Sequence, residues 1–365
     1  MNPLYIDALP LLPKKMSGIG HYVQNIVHGL QELNHKTILV VPKGKASLLQ
    51  GRYPDLEIKE LPYRHRTMQL LDIFGLAPKI DKTVGKGFYF FGNYENWPLT
   101  KDSRSLTCFH DMAFIRMPET IEKKNLFFLR TFYKRWYRRA TEIATVSEFS
   151  KKEIEDIFGK RKQVSIIPNS VDKSLFSKKP HIESKKVLKK YGITIEDFLL
   201  YVGNLEPRKG LDVMLRAYSN YSDVWKRAHP LIIVGGGGWR NEEILLLIDS
   251  INKENTYILR PNGYVEDNDL AAFYSRASAI IMPSLYEGYG VPVLEAASCE
   301  TDAYISNAAA LREVVKQIKL VEKRNDSSLL SMKGYTVSPQ TAHLIVRPNA
   351  AATSLIEVAR SAKIR

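Results

Sequence analysis

Phe198-Leu199-Leu200-Tyr201-Val202-Gly203 is a short apolar run closed by glycine. Asn204-Leu205-Glu206-Pro207-Arg208-Lys209-Gly210 follows it, and Leu211, Met214, Leu215 and Tyr218 then recur at helical spacing. The run has the length and composition of a strand buried on both faces, and the spacing after it is that of a helix with one apolar side. A second apolar run, Leu231-Ile232-Ile233-Val234, ends in Gly235-Gly236-Gly237-Gly238 and completes a strand-helix-strand unit.

The same pattern continues in both directions. Downstream come a helix carrying Leu270, Phe273 and Tyr274, the strand Ala279-Ile280-Ile281-Met282 and a helix from about Val291. Near the N-terminus, Leu4-Tyr5-Ile6-Asp7-Ala8 reads as a strand. After Ser17-Gly18-Ile19-Gly20, a helix carries Val23, Ile26, Val27, Leu30 and Leu33. Ile38-Leu39-Val40-Val41, stopped by Pro42, is the next strand. Alternation of this kind implies an α/β protein whose parallel sheets are covered by helices. A chain of 365 residues exceeds what one core organises, so two Rossmann-like, doubly wound domains are expected. Asp172 to Lys190, rich in Lys, Ser and Pro, reads as an exposed linker. The expected division is 1–175, 176–345 and a C-terminal helix within 346–365, with the two domains facing across a cleft at the carboxyl ends of their strands.

Composition narrows the class. Apolar residues make up 44% and charged residues 25%, as in a folded globular protein. No apolar stretch of about 18 residues is present, and the first residues lack the basic and apolar regions of a signal peptide, so a cytoplasmic protein is expected. Two cysteines, Cys108 and Cys299, make neither a disulfide framework nor a metal spacing. The formal net charge of +14 attracts phosphate, whether on nucleic acid, anionic lipid or a diphosphate substrate. No nucleic-acid-binding module is recognisable, so no nucleic-acid partner is expected.

Two segments carry chemistry. Glu287-Gly288-Tyr289-Gly290-Val291-Pro292-Val293-Leu294-Glu295 follows a buried strand. Its glycines permit close backbone approach, Pro292 suits a first helical turn, and amides at that helix start can donate to anionic oxygens. The plain alternative is a capped surface helix with two solvated glutamates. The second segment is the turn through Arg208 and Lys209, whose adjacent cations suit a diphosphate; the alternative is a basic surface turn. Asp267-Asn268-Asp269 spells a metal-diphosphate signature, yet it stands where a helix begins and is read as an N-cap with acidic first-turn residues. No metal is expected. His21 and His28 have no further ligands near them in sequence, and Gly235 to Gly238 lacks the Lys-Ser/Thr of a P-loop.

Together these segments resemble glycosyltransferase family 4, the retaining enzymes with the two-domain GT-B fold. Four further segments extend the resemblance in order: Ser17-Gly18-Ile19-Gly20-His21-Tyr22, then Phe109-His110-Asp111-Met112-Ala113-Phe114 with Pro118-Glu119, then Thr145 to Ser150, and Ile167 to Asp172. The likeness runs from about residue 4 to about 315. It implies that Glu287 contacts the donor sugar with the amides of Gly288, Tyr289 and Gly290. It further implies that Glu295 binds the ribose and Lys209 the diphosphate, with Arg208 beside it. Gly18 and Gly20 are implied to let backbone approach the donor or acceptor, His110 to touch the sugar near the reacting carbon, and Asp111 to orient that loop or meet the acceptor. No cofactor is implied beyond a nucleotide-sugar co-substrate, a GDP- or UDP-sugar. The implied acceptor is a glycan or polyprenyl-linked saccharide of envelope polysaccharide synthesis. A catalytically weak nucleotide-sugar-binding partner of another transferase is the competing reading, and an RNA-binding protein is suggested by charge alone.

Three departures stand out. Where the family has a Gly-Thr-Pro-like turn after the helix bearing Glu295, this chain has Cys299-Glu300-Thr301-Asp302. The residue after Gly203 is Asn204 where arginine is frequent. Beyond about Val315 the likeness fades, although Asn349 to Ile364 has the apolar spacing of a shortened terminal helix.

Lys123 to Arg139 contains seven basic residues, six aromatics and no acid. As a helix it places Leu126, Phe128, Leu129, Phe132, Tyr133, Trp136 and Tyr137 on one side and Lys123, Arg130, Lys134, Arg135 and Arg138 mainly on the other. Such a helix either enters the N-terminal core with its basic face solvated or meets an anionic membrane surface. The second reading predicts a peripheral protein on the inner face of the cytoplasmic membrane.

Overall fold

A computed structural model describes residues 3–238, 240–317, 321–324, 334–338 and 348–361. Fourteen strands form two sheets of seven among the described residues. β1 (Leu4–Asp7), β2 (Thr37–Val41), β3 (Glu57–Glu60), β4 (Phe88–Phe91), β5 (Arg104–Cys108), β6 (Glu142–Thr145) and β7 (Val164–Ile166) lie in the order β3-β2-β1-β4-β5-β6-β7. Every pairing in this sheet is parallel. β8 (Leu199–Val202), β9 (Leu231–Val234), β10 (Ile258–Leu259), β11 (Ala279–Met282), β12 (Asp302–Ser306), β13 (Val321–Arg324) and β14 (Gly334–Ser338) lie in the order β10-β9-β8-β11-β12-β14-β13. This sheet is parallel as far as β12, and β14 and β13 then add antiparallel.

The helices that bear on the sites are α1 (Gly18–Glu32), α2 (His65–Ile73), α3 (Lys123–Arg139), α4 (Leu211–Ser219), α5 (Asp267–Arg276), α6 (Val291–Ser298) and α7 (Pro348–Ser361). The expected periodicity explains α1, where Val23, Ile26, Val27 and Leu30 are all fully buried. Leu33 lies one residue past the helix and is 43% exposed, so the apolar stripe ends a turn earlier than its spacing suggested.

The chain forms two compact units. One comprises the described residues within Met1–Met112, Phe127–Ser170 and Val346–Arg365, and the other those within Ala113–Leu126 and Val171–Ile345. The terminal helix α7 belongs to the first unit, where it packs along α1 with Ala351, Ala352 and Leu355 buried. The expected boundary between residues 345 and 346 lies outside the described residues.

The stretch expected as a linker is only partly one. A helix covers His181–Lys190 and packs on α5. Ser184 and Leu188 are its buried residues, so its contact side is narrow and its many lysines face water. A composition dominated by that solvated side conceals a helix.

Candidate functional site

In both sheets the strand order reverses beside the first strand of the unit, between β1 and β4 and between β8 and β11. Crevices for ligands open at such points, outside the carboxyl ends of the strands. In the second unit the turn after β8 and the loop after β11 are drawn together there. Gly210 takes the left-handed conformation, with φ +65, at the start of α4. A Cβ on it would stand 2.3 Å from the carbonyl oxygen of Pro283, so only glycine lets the cationic turn lie this close to the end of β11. The Leu285 amide donates to the Arg208 carbonyl at 2.9 Å and ties the same two loops again.

That approach assembles the charges. Lys209 Nζ donates to Glu287 Oε1 at 2.6 Å, Ser284 Oγ donates to the same oxygen at 2.7 Å, and Arg208 Nη1 stands 3.4 Å from Oε2. Arg208 Nη1 also donates to the Tyr286 carbonyl at 2.9 Å. Glu287 is only 6% exposed. Burial by itself would raise its carboxyl pKa, but the charges of Lys209 and Arg208 and the bonds from Lys209 and Ser284 outweigh it and hold the group below its ordinary value. Glu287 is therefore a buried, ionised acceptor with two cations fixed beside it. Ser284 belongs to neither charged motif, although its place directly after Met282-Pro283 puts it in the same loop.

Gly290, at φ +113, precedes α6, and a Cβ there would strike Leu311 Cδ2 at 2.4 Å. Gly288 and Tyr289 are buried in the loop that leads into it. Pro292 lies in the first turn of α6, and Glu295 follows one turn in. Tyr274 of α5 donates its hydroxyl to Glu295 Oε2 at 2.6 Å. Burial raises the Glu295 carboxyl to about 7, against the lowering effect of that bond. The spacing in α5 marked Tyr274 only as an apolar-face residue. Its ring is indeed buried, and its hydroxyl reaches α6.

The remaining motifs of this unit resolve locally. Gly235 and Gly238 are demanded by packing, because a Cβ would meet the Gly203 carbonyl oxygen at 1.9 Å or that of Leu205 at 2.5 Å. Asn204 Nδ2 donates to Glu206 Oε1 at 3.2 Å. Asp267 and Asp269 occupy the first turn of α5, as expected, but the N-cap is Glu266 and no side chain caps the helix. Asp269 instead takes Lys190 Nζ at 2.7 Å and the Tyr191 hydroxyl at 2.6 Å. Glu300 has φ +60, the left-handed conformation that a glycine would adopt without cost. Its carboxylate pairs with Lys178 at 3.1 Å on the surface.

In the first unit, Ser17 caps α1 by accepting from the Gly20 amide at 3.4 Å. The two glycines differ: a Cβ on Gly20 would meet the Pro10 carbonyl oxygen and Met16 Cβ at 2.9 Å, whereas one on Gly18 would meet nothing within 4 Å. His110 follows β5 by two residues. Its Nε2 lies 2.8 Å from the Gly92 carbonyl oxygen, which can only accept, so Nε2 carries the proton and Nδ1 is the acceptor nitrogen. Burial lowers its pKa, so the ring is neutral at pH 7. Tyr94 donates its hydroxyl to the Asp111 carbonyl at 2.9 Å.

The basic aromatic stretch is α3, with the bounds read from sequence. Trp136 and Tyr137 are its buried residues, Tyr137 stacks on Phe158 at 3.8 Å, and Phe128, Phe132 and Trp136 form a ladder of rings. Arg135, expected on the basic face, donates to the Asp72 carbonyl, and Arg139 pairs with the Asp72 carboxylate at 2.5 Å, which joins α3 to α2. Lys123, Lys124, Arg130, Lys134 and Arg138 are exposed, as is Phe127 at 75%. Among the described residues no helix is long and apolar enough to cross a membrane, and no three metal-ligating side chains converge.

Residues 16–175 match the family described as Glycosyltransferase Family 4, and residues 184–333 match Glycosyl transferases group 1. The chain is 32% identical over 228 residues to the O-antigen chain mannosyltransferase B of Escherichia coli, an alignment spanning 62% of this chain and 59% of that protein. Among solved structures it resembles a sucrose-phosphate synthase from Thermosynechococcus elongatus, with a TM-score of 0.64 and 17% identity over 98% of this chain and 90% of that one. It also resembles HepE of Anabaena, solved with UDP-glucose, with a TM-score of 0.62 and 16% identity over 99% and 95% of the two chains. Two family matches that tile both halves, on two parallel-stranded α/β units whose likenesses are of the same architecture, establish that the chain belongs to glycosyltransferase family 4 and has the GT-B fold.

Proposed function

We propose that the protein is a retaining, metal-independent glycosyltransferase. In this reading it moves a hexose, mannose or a similar sugar, from a GDP- or UDP-sugar to a glycan or lipid-linked acceptor in envelope polysaccharide synthesis. The observation that carries the reading is the convergence of Lys209, Arg208 and Glu287 at the β8/β11 reversal. The O-antigen relative supports the reaction class and the UDP-glucose complex of HepE supports a nucleotide-sugar donor.

The chemistry suits these groups. As the sugar-phosphate bond breaks, positive charge grows on the ring and negative charge on the leaving diphosphate. Lys209, with three protons of which one points at Glu287, and the amides leading into α6 stabilise the diphosphate. Glu287 and His110 position the sugar. Glu295 accepts from the ribose hydroxyls. The acceptor oxygen bonds to the anomeric carbon on the face the diphosphate leaves, and the acceptor proton passes to the departing phosphate oxygen. No protein nucleophile is needed, so Glu287 and Glu295 are not assigned the paired-carboxylate roles of glycosidases.

The test is a panel of GDP- and UDP-sugars read by nucleotide release. Turnover with one donor, surviving chelation and lost in Glu287→Ala, is expected. Binding without turnover would leave a nucleotide-sugar-binding protein, and restoration by magnesium or manganese after chelation would overturn metal independence.

The exposed face of α3 supports peripheral attachment to anionic membrane, with cations at the headgroups and Phe127 entering the interface. Co-sedimentation with phosphatidylglycerol vesicles but not phosphatidylcholine vesicles at low salt is expected. Equal recovery in the supernatant with both would remove the membrane from the reading.

A further inference from the structure

The segment Thr145 to Ser150 belongs to none of the charged or glycine motifs, and the proposed chemistry gives it no task. In the first unit it lies against the loop that carries His110. β5 ends at Cys108, and the Phe109 amide still donates to the Ala144 carbonyl at 2.9 Å. Beyond that amide, side chains bond the loop. Thr145 Oγ1 donates to the Phe109 carbonyl at 2.7 Å, Ser150 Oγ to the His110 carbonyl at 3.0 Å, and the Tyr94 hydroxyl to the Asp111 carbonyl at 2.9 Å. Three successive carbonyls thus accept from three hydroxyls on separate elements.

The first two bonds bear on His110 directly. A peptide unit is planar, so the Phe109 carbonyl fixes the plane before the His110 Cα, and the His110 carbonyl fixes the plane after it. Holding both planes sets φ and ψ of this one residue. The ring is restrained in turn. Its Nε2 donates to the Gly92 carbonyl at 2.8 Å, and Tyr22 meets it edge-on with centroids 4.9 Å apart.

Local structure explains why one short segment supplies both donors. Cys108 is opposite Ala144 in the β5/β6 register, so Thr145 stands beside Phe109. Ser147 caps the next helix, Glu148–Phe158, by accepting from the Ser150 amide at 3.0 Å. Ser150 is then the third helical residue, a position from which a side chain reaches back past the helix start. The cap uses the Ser150 amide and does not need its hydroxyl. Thr145 and Ser150 are both fully buried. A buried hydroxyl is costly unless it is bonded, and packing alone would be served by valine and alanine.

We propose that Thr145 and Ser150 are positioning residues for His110, clamping the peptide planes on either side of its Cα so that the ring meets the donor sugar in one orientation. This rests on the transferase reading, in which His110 positions that sugar. Burial lowers the His110 pKa, against the raising effects of the Gly92 bond and of the Asp111 charge. A ring released from the clamp would gain water and titrate higher.

The experiment compares Thr145→Val, Ser150→Ala and Thr145→Ser in the full chain. Valine keeps the shape of threonine and removes the donor, whereas serine keeps the donor. Nitrogen NMR of histidine-labelled protein, with His110 assigned by its absence from His110→Gln, reads the ring without any ligand. The wild type should carry its proton on Nε2 and titrate below the ordinary histidine value. In Thr145→Val and Ser150→Ala the titration should move up toward that value and a second tautomer should appear. Their kcat should fall about tenfold or more, with the donor KM changed less than about threefold. Thr145→Ser should recover most of that loss. Thermal melts monitor the fold, and should Thr145→Val fail to fold, Ser150→Ala carries the test. An unchanged His110 titration, or a kcat within about twofold of the wild type, in either variant that folds would overturn the proposal and leave these hydroxyls as supports of the fold. Absence of turnover by the wild type with every donor would instead sink the transferase reading, and the His110 titration would still decide whether the clamp holds.

Discussion

Lys209 Nζ lies 2.6 Å from Glu287 Oε1, although 78 residues separate them in the chain. The contact joins the turn after β8 to the loop after β11, at the reversal point of the second sheet, where two adjacent parallel strands send their connections in opposite directions. The pair is stable there because Ser284 and Arg208 complete the shell of the buried carboxylate. The same pair presents a fixed cation to whatever anion enters the crevice.

Removing that cation should cost both stability and turnover, and the two losses can be separated. Lys209→Met leaves Glu287 buried with only Arg208 as counter-charge, and urea denaturation at pH 7 should show a loss of about 3 kcal/mol. The ionised Glu287 contributes stability above the ordinary carboxylate pKa and loses it as the pH falls through its lowered native value. The deficit of Lys209→Met should therefore shrink in acid. Adding Glu287→Gln should recover most of the stability at pH 7. Turnover should stay down by about 10²–10³ or more in both variants, because the leaving diphosphate still lacks its cation and the double variant has also lost the carboxylate assigned to the sugar. Recovery of turnover in the double variant would show that Lys209 serves only the fold.

Glu295 should give the second unit an opposite pH dependence. Its native carboxyl is raised to about 7, so between about 4.5 and 7 the folded state holds a proton that the unfolded state releases. Stability should fall across that window as pH rises, by about 2 kcal/mol for this partly shielded group. Glu295→Gln keeps an acceptor for the Tyr274 hydroxyl and removes the charge, so its curve should be flatter, and it should be the more stable protein at pH 8. Binding should move the other way. Ribose hydroxyls prefer the ionised carboxylate, so affinity for a nucleotide sugar, whose diphosphate does not titrate there, should tighten from pH 6 to 8 in the wild type only. Calorimetric titrations at the two pH values measure this.

Much of this arrangement was legible because it depends on local rules. Buried strands announced themselves as apolar runs, and the glycines at 210 and 290 marked turns whose conformation or crowding admits no side chain. What stayed hidden depends on partners distant in sequence. Tyr274 looked like a core residue because nothing in its own helix shows that Glu295 stands opposite its hydroxyl. His65 and Glu95 carry no shared motif, and only the fold brings them within 2.7 Å of each other. The helix at His181–Lys190 was obscured by its own solvated lysines. The antiparallel β14 and β13 lie past the last motif read in the sequence, although the family match still covers β13.

The departure at Glu300 has a stability consequence. An L-residue at φ +60 is strained by about 1 kcal/mol, and glycine is not. Glu300→Gly also gives up the pair with Lys178, but both partners are more than half exposed, so little is lost. The variant should be more stable by up to about 1 kcal/mol, with donor turnover unchanged, since the Glu300 carboxylate points to surface Lys178 and not to the Lys209–Glu287 pair. A stability loss, or a change in donor affinity, would show that this turn matters to the site in a way its geometry does not suggest.

The two glycines at the start of α1 should behave differently under the same substitution. Gly20 has a structural reason to lack a side chain, because a Cβ would press on the Pro10 carbonyl and on Met16 at 2.9 Å. Gly20→Ala must push that turn outward and should lower stability by about 1–3 kcal/mol. Gly18 has no such reason: its Cβ would meet nothing within 4 Å, and alanine is the better helix former at the first position of α1. Gly18→Ala should therefore leave the melting temperature unchanged or slightly raised. If the backbone here must come within reach of the donor phosphates or the acceptor, the added methyl group occupies the space they need, and turnover should fall by about tenfold or more while the fold is intact. Thermal melts and donor kinetics on the two variants separate the roles. Full activity in Gly18→Ala would show that the open space above this glycine is not used, and would remove Gly18 from the site.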